Sequence, residues 1–152
     1  MPEIGQTLSH YRIVEKLGTG GMGIVFKAFD SALGRHVALK LLNPTSVAQR
    51  ERVARFFLEA KAASALNHPN IITIYEIGKS AEDRDFIAME FVEGWSLRPL
   101  AKRPNPLQEV LRVGRQVAEA LGVRPRIEFP NSIIVLARPR AASRRSVVLL
   151  RL

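Results

Sequence analysis

Three glycines spaced as Gly18-x-Gly20-x-x-Gly23 precede a lysine, Lys40, that stands in an otherwise apolar run, Val37-Ala38-Leu39-Lys40. A glycine-rich tip lets backbone N–H groups approach an anion with no Cβ in the way. An ammonium among apolar neighbours is costly to bury unless an anion meets it, and a phosphate or a carboxylate would serve. Further on, Glu59 lies in Phe56-Phe57-Leu58-Glu59-Ala60, with Ala62, Ala63 and Leu66 on the same helical face. A pair between Lys40 and Glu59 is the natural expectation. The chemistry these groups suggest is the holding of a phosphorylated ligand.

The glycine spacing alone is weak, so its context decides. A dinucleotide fingerprint should open a helix and meet an acidic residue about 20 positions later. Here Ile24-Val25-Phe26-Lys27-Ala28-Phe29 reads as strand, and the next landmark is Lys40. A Walker loop would end in Gly-Lys-Ser/Thr, whereas Gly23 is followed by Ile24-Val25. Both of those readings fail. The chain has no cysteine, which removes disulfides, thiolate nucleophiles and thiolate metal sites together. Its three histidines, His10, His36 and His68, have no metal-ligand spacing.

The elements that must position these groups follow from pattern. Residues 10–18 (HYRIVEKLG), 23–29 (GIVFKAF) and 35–42 (RHVALKLL) are short, rich in β-branched and aromatic residues, and separated by turn signals. They predict three antiparallel strands. Ser46 and Gln49 make a capping box for a helix running to Leu66, which His68-Pro69-Asn70 breaks. Two more strands are expected at 71–77 and 85–92, around the polar turn 78–84. After Gly94, Asn105 and Pro106 can open a helix in which Leu107, Val110, Gly114, Val117 and Leu121 recur at helical spacing up to Gly122. The fold class is α+β, a five-stranded antiparallel sheet with one helix, followed by further helix.

In this order the motifs resemble the N-lobe of a protein kinase of the bacterial serine/threonine type. LGTGGMGIVFKAFD is similar to that family's glycine-rich loop, VALK to its lysine motif, FFLEA to its helix glutamate, and LNHPNI to the junction that follows. IAMEFVEGWSL resembles the last strand and hinge, and the helix at 106–121 resembles the one leading to the catalytic loop. The likeness runs from about Leu8 to Gly122. It implies that Gly18, Thr19, Gly20, Gly21, Met22 and Gly23 cover the phosphates of ATP, while Leu17, Val25 and Ala38 pack on adenine. Lys40 would hold the α and β phosphates, positioned by Glu59. Met89 would be the gatekeeper, with adenine-facing backbone at Glu90 and Val92. The implied division is residues 1–94 as the ATP-binding half, 95–122 as the start of a C-lobe, and 123–152 as an unrelated tail. His68 is assigned to a turn, His36 to the solvated surface and Trp95 to packing.

Phosphoryl transfer also needs a carboxylate that orients the substrate hydroxyl and another that holds magnesium, taken in this family from its HRD and DFG motifs. The last aspartate here is Asp85 and the last histidine His68, so neither motif is present. No catalytic residue is therefore assigned. Weak ATP binding and no activity of this chain alone are expected, and the ligands for the family's Mg2+ are absent. The alternatives are a non-catalytic interaction module binding another protein, or a decayed or frameshifted kinase product. The substrate or partner protein is not readable.

The formal charge of +9 is uneven: residues 1–122 carry 16 Lys or Arg against 13 Asp or Glu, and residues 123–152 carry 7 Arg against Glu128. Those last thirty residues also lack lysine, aspartate, histidine and glycine. Nucleic acid or an acidic membrane surface would suit such charge, but seven arginines with only Phe129 as an aromatic lack the interleaving that single-strand binders use. A shifted reading frame through a GC-rich gene would give this composition. An intact frame with no catalytic-loop sequence encoded downstream in any frame would exclude that hypothesis. No apolar run approaches the roughly 18 residues of a membrane span. The first dozen residues carry no export pattern, so a cytoplasmic location is expected. The apolar stripe of the last helix, Leu107, Val110, Val117 and Leu121, should lie exposed and make the chain poorly soluble.

Overall fold

The computed structural model describes residues 3–20, 23–42, 51, 53, 54, 57, 58, 60, 61, 64, 65, 67–93, 104–122, 134, 135, 150 and 151. The chain forms two compact units, Met1–Ser64 with Thr73–Phe91, and Ala65–Ile72 with Val92–Leu152.

In the first unit six strands make one antiparallel sheet: β1 (Thr7–Leu8), β2 (Tyr11–Gly20), β3 (Gly23–Asp30), β4 (Arg35–Leu42), β5 (Ile74–Lys79) and β6 (Asp85–Glu90), in the order β1-β2-β3-β4-β6-β5. Period-two patterning explains β3, where Ile24, Phe26, Ala28 and Asp30 are buried and the intervening residues are half-buried. The core on that face is Leu8, Tyr11, Ile13, Ile24, Phe26, Ala28, Val37, Leu39, Leu41, Phe86 and Ala88. Each large side chain fully buried there contributes about 1.5–3 kcal/mol, which is why the alternation sets the register so firmly.

Two expectations are corrected. The sheet has six strands rather than five, because Ser9 adopts a left-handed conformation (φ 58°) and turns Thr7–Leu8 back onto Arg12 and Tyr11. The strand expected at 71–77 begins instead at Ile74, after a turn in which the Ile71 N–H donates to the His68 carbonyl (3.1 Å). It then runs on to Lys79, leaving a tighter turn in which Ser80 N–H donates to the Arg84 carbonyl (2.8 Å).

One end of the sheet is tied by polar groups. Asp30 is buried, and its Oδ1 accepts from the N–H groups of Ala32 (3.0 Å) and Leu33 (3.1 Å), holding the turn between β3 and β4. Arg35 Nε lies 3.6 Å from Asp30 Oδ2, and the same guanidinium sits 3.5 Å above the Tyr75 ring. A buried carboxylate is tolerable only with such partners.

The described residues between 51 and 64 are helical, with Val53 and Ala60 buried. Ala54, Phe57 and Leu58 of that segment line a groove together with Ile74, Tyr75 and Ile77 of β5. The proposed capping box at Ser46 and Gln49 lies outside the described residues, as does Trp95.

The second unit contains a helix, α1 (Leu107–Gly122), and a two-stranded pairing of β7 (Ile134–Val135) with β8 (Leu150–Arg151). The Pro106 carbonyl accepts from the N–H groups of Glu109 and Val110 in the first turn, where Glu109 also suits the helix dipole. Buried Asn70 donates through Nδ2 to the Gln116 carbonyl and to Glu119 Oε2, both at 3.4 Å, which ties the turn at 68–72 to α1. Leu107 and Val110 are exposed, as expected of the apolar stripe, whereas Val117 is half-buried and forms the covered line of the helix with Val113 and Ala120.

Candidate functional site

β2 continues through the glycine motif, and Gly20 pairs directly with Gly23, so the motif is the tip of a β-hairpin and opens no helix. Across the sheet, Gly18 faces Val25, Val25 faces Lys40 and Lys40 faces Ile87. One step further from the tip, Lys27 faces Ala38 and Ala38 faces Met89. Antiparallel partners project on the same side of a sheet. Val25, Lys27, Ala38, Lys40, Ile87 and Met89 therefore share the face opposite the Phe26–Leu39 core. Ala38, Ile87 and Met89 are buried there, while Val25 and Lys40 are half-buried. The result is an apolar floor with one ammonium toward the glycine end.

Leu17 sits where the β2 register shifts between Lys16 and Gly18, a bulge that leaves it 43% exposed beside the hairpin. Thr19 pairs with Ile24 and is exposed. Gly21, Met22 and Glu59 lie outside the described residues, so the Lys40 to Glu59 pair does too. Glu90 and Val92 are half-buried. The Glu90 N–H is taken by the Thr73 carbonyl (2.8 Å).

Two glycines of the motif differ in what demands them. Gly23 has φ +144°, and a Cβ placed on it would meet the Leu41 carbonyl oxygen at 2.0 Å. Backbone and packing both require glycine there. At Gly18 φ is ordinary and a Cβ would meet nothing within 4 Å. Neither the strand nor its neighbours need that glycine, and the space beside it is open. Among the described residues no group of three or more His, Asp or Glu could hold a metal ion.

Sequence reasoning missed Ile87 as a member of this face and Lys27 beside Ala38. The signal was available for both, since Lys27 is two residues from Val25 and Ile87 two from Met89 in alternating strands.

The family model described as protein kinase domain matches residues 11–123, and the chain belongs to that family. It is 42% identical over 144 residues to serine/threonine-protein kinase pkn3 of Myxococcus xanthus, covering 89% of this chain and 26% of that protein. With serine/threonine-protein kinase PrkC of Bacillus subtilis it shares 39% identity over 121 residues, or 78% of this chain and 18% of that one. A double mutant of the Mycobacterium tuberculosis PknI kinase domain superposes with a TM-score of 0.76 at 28% identity, over 99% of this chain and 63% of that one. The chain thus spans about a quarter or less of these two curated relatives. The antiparallel sheet with its helix is a kinase N-lobe, and the relatives are bacterial serine/threonine kinases.

Proposed function

We propose that these residues form the ATP-binding half of a serine/threonine protein kinase domain. ATP would lie against the face carrying Val25, Ala38 and Met89, its phosphates beneath the Gly18–Gly23 hairpin and toward Lys40. The observation that supports this reading is Gly18, a glycine with open space beside it that neither backbone conformation nor packing requires, in the same cross-strand row as Lys40. Val25 and Ala38 would exclude water from the adenine, and Lys40 would meet phosphate charge in a half-buried setting where the attraction is less screened than in water. Leu17 would cover the mouth of the site. Glu59 would orient Lys40, and Val92 would supply backbone to the adenine. A cytoplasmic setting, where ATP is found, goes with this reading.

Transfer of the phosphoryl group is not assigned to these 152 residues. No aspartate follows Asp85, so the groups that would hold Mg2+ and orient a hydroxyl are not among them. That same feature favours a second reading, a non-catalytic module that binds a protein partner. Melting curves of the chain with ATP, in the presence and absence of Mg2+, against Lys40→Ala test both. An ATP-dependent rise in melting temperature that Lys40→Ala abolishes supports the nucleotide site. No rise at any ATP concentration rejects it and leaves the interaction module. A rise that requires Mg2+ contradicts the absence of metal ligands.

A further inference from the structure

The strand that carries Val25 is fastened to the segment beyond β6 by a contact that hydrogen bonding in the sheet does not supply. Lys27 Nζ stands 4.6 Å from the centroid of the Phe91 ring, a distance at which a cation is drawn to an aromatic face. Lys27 projects on the side of the sheet that holds Ala38 and Met89, and Phe91 follows Met89 by two residues. Among the described residues no carboxylate pairs with Lys27, although Glu15 is its cross-strand neighbour. The aromatic ring is the partner its ammonium has.

We propose that Lys27 is a positioning residue for the nucleotide, acting through Phe91; this rests on the ATP site proposed above. Lys27 belongs to the hairpin that would cover the phosphates, and Phe91 to the stretch that would face adenine. β4 separates β3 from β6 in the sheet, so the hairpin and that stretch share no ladder. The Lys27–Phe91 contact spans this gap and fixes the distance between two walls of the site before ligand arrives. A wall already in place costs less to order on binding, so the contact favours affinity.

Calorimetric titration of ATP into the 152-residue chain tests this, with Lys27→Met, Lys27→Arg, Phe91→Leu and the Lys27→Met/Phe91→Leu double variant, alongside melting curves without ligand. The expected result is that Lys27→Met and Phe91→Leu each weaken ATP binding about three- to fivefold, the range an exposed cation–π contact gives. The double variant is no weaker than either, and Lys27→Arg binds as the unaltered chain does. Unchanged affinity in Lys27→Met overturns the proposal while leaving the ATP site standing. Additive losses, or a loss in Lys27→Met without one in Phe91→Leu, overturn it in favour of direct contact with ATP. A fall in melting temperature with affinity that Lys27→Arg does not restore overturns it in favour of a structural role. If the unaltered chain binds no ATP, the site and this inference fall together.

Discussion

The Tyr11 hydroxyl donates to Glu76 Oε2 at 2.6 Å, joining β2 to β5 although β3, β4 and β6 lie between them in the sheet. Only a strongly curled sheet brings those strands within reach of each other. The bond closes the end of the curl over the core, where Tyr11 is buried and its ring meets Phe86 edge-on at 5.8 Å. His10 Nε2 lies 3.5 Å from the same Glu76 oxygen and 3.7 Å from Asp30 Oδ1, so three strands meet at one polar knot.

Burial, reinforced by the Glu76 carboxylate, holds the Tyr11 proton well above the usual tyrosine range. The sign follows from linkage. Above about pH 10 an unfolded tyrosine loses its proton while Tyr11 in the fold keeps it, so stability is complete below that pH and falls as pH rises beyond it. Urea unfolding at about pH 8 and about pH 11 should show this loss in the unaltered chain and a smaller one in Tyr11→Phe. At the lower pH, Tyr11→Phe should cost about 1.5–3 kcal/mol, the worth of a hydrogen bond to a charged acceptor. Equal alkaline losses in both chains would contradict the assignment.

The two glycines of the hairpin should separate stability from binding. Gly23→Ala forces a Cβ against the Leu41 carbonyl at a positive φ and should destabilise the chain by about 2–4 kcal/mol. Gly18→Ala meets nothing and should leave stability unchanged or raise it by about 0.4–1 kcal/mol, while weakening ATP binding. Melting curves and ATP titration of both variants decide the matter. A Gly18→Ala chain that binds ATP normally would remove the main support for the nucleotide site.

Asp30 should matter for the fold and not for the ligand. Asp30→Ala removes the acceptor of two backbone N–H groups and the carboxylate beside part-exposed Arg35, at a cost of about 1–3 kcal/mol. Asp30→Asn keeps a carbonyl oxygen for those N–H groups and should lose less than half as much. Urea midpoints measure both. Equal losses in the two variants would show that the charge, not the turn, is what Asp30 provides.

Much of this was legible in the sequence, for identifiable reasons. Alternation in residues 23–30 and 35–42 dictated both strands and their shared face, and with it the meeting of Val25, Ala38 and Lys40. The glycine spacing alone was ambiguous until the strand after it excluded a helix. β1 was illegible because two residues carry no period, and its existence depends on the conformation of Ser9. The Tyr11–Glu76 bond was illegible because it depends on curl, which pairing order does not determine. The covered line of α1 through Val113, Val117 and Ala120 was illegible because apolar spacing gives the period of a helix and not what lies against it. Leu107 and Val110 fit the pattern as well as Val113 and Val117 do.

That exposed face yields a final expectation. Leu107, Val110 and Leu111 of α1 are 71%, 52% and 62% exposed, with Gly114 and Ala118 continuing the strip along the helix. Contiguous apolar surface of this kind is unusual on a soluble monomer and draws either a partner or self-association. The 152-residue chain should therefore bind a hydrophobic reporter dye such as ANS while folded and should sediment as more than a monomer at high concentration. Leu107→Glu with Leu111→Lys should suppress both effects. The new pair, spaced i to i+4 with the acidic residue first, also suits the helix and should hold stability within about 0.5 kcal/mol. Dye binding that survives these substitutions unchanged would place the exposed apolar surface elsewhere in the chain. A dye-silent monomer before any substitution would show that α1 is already covered in solution.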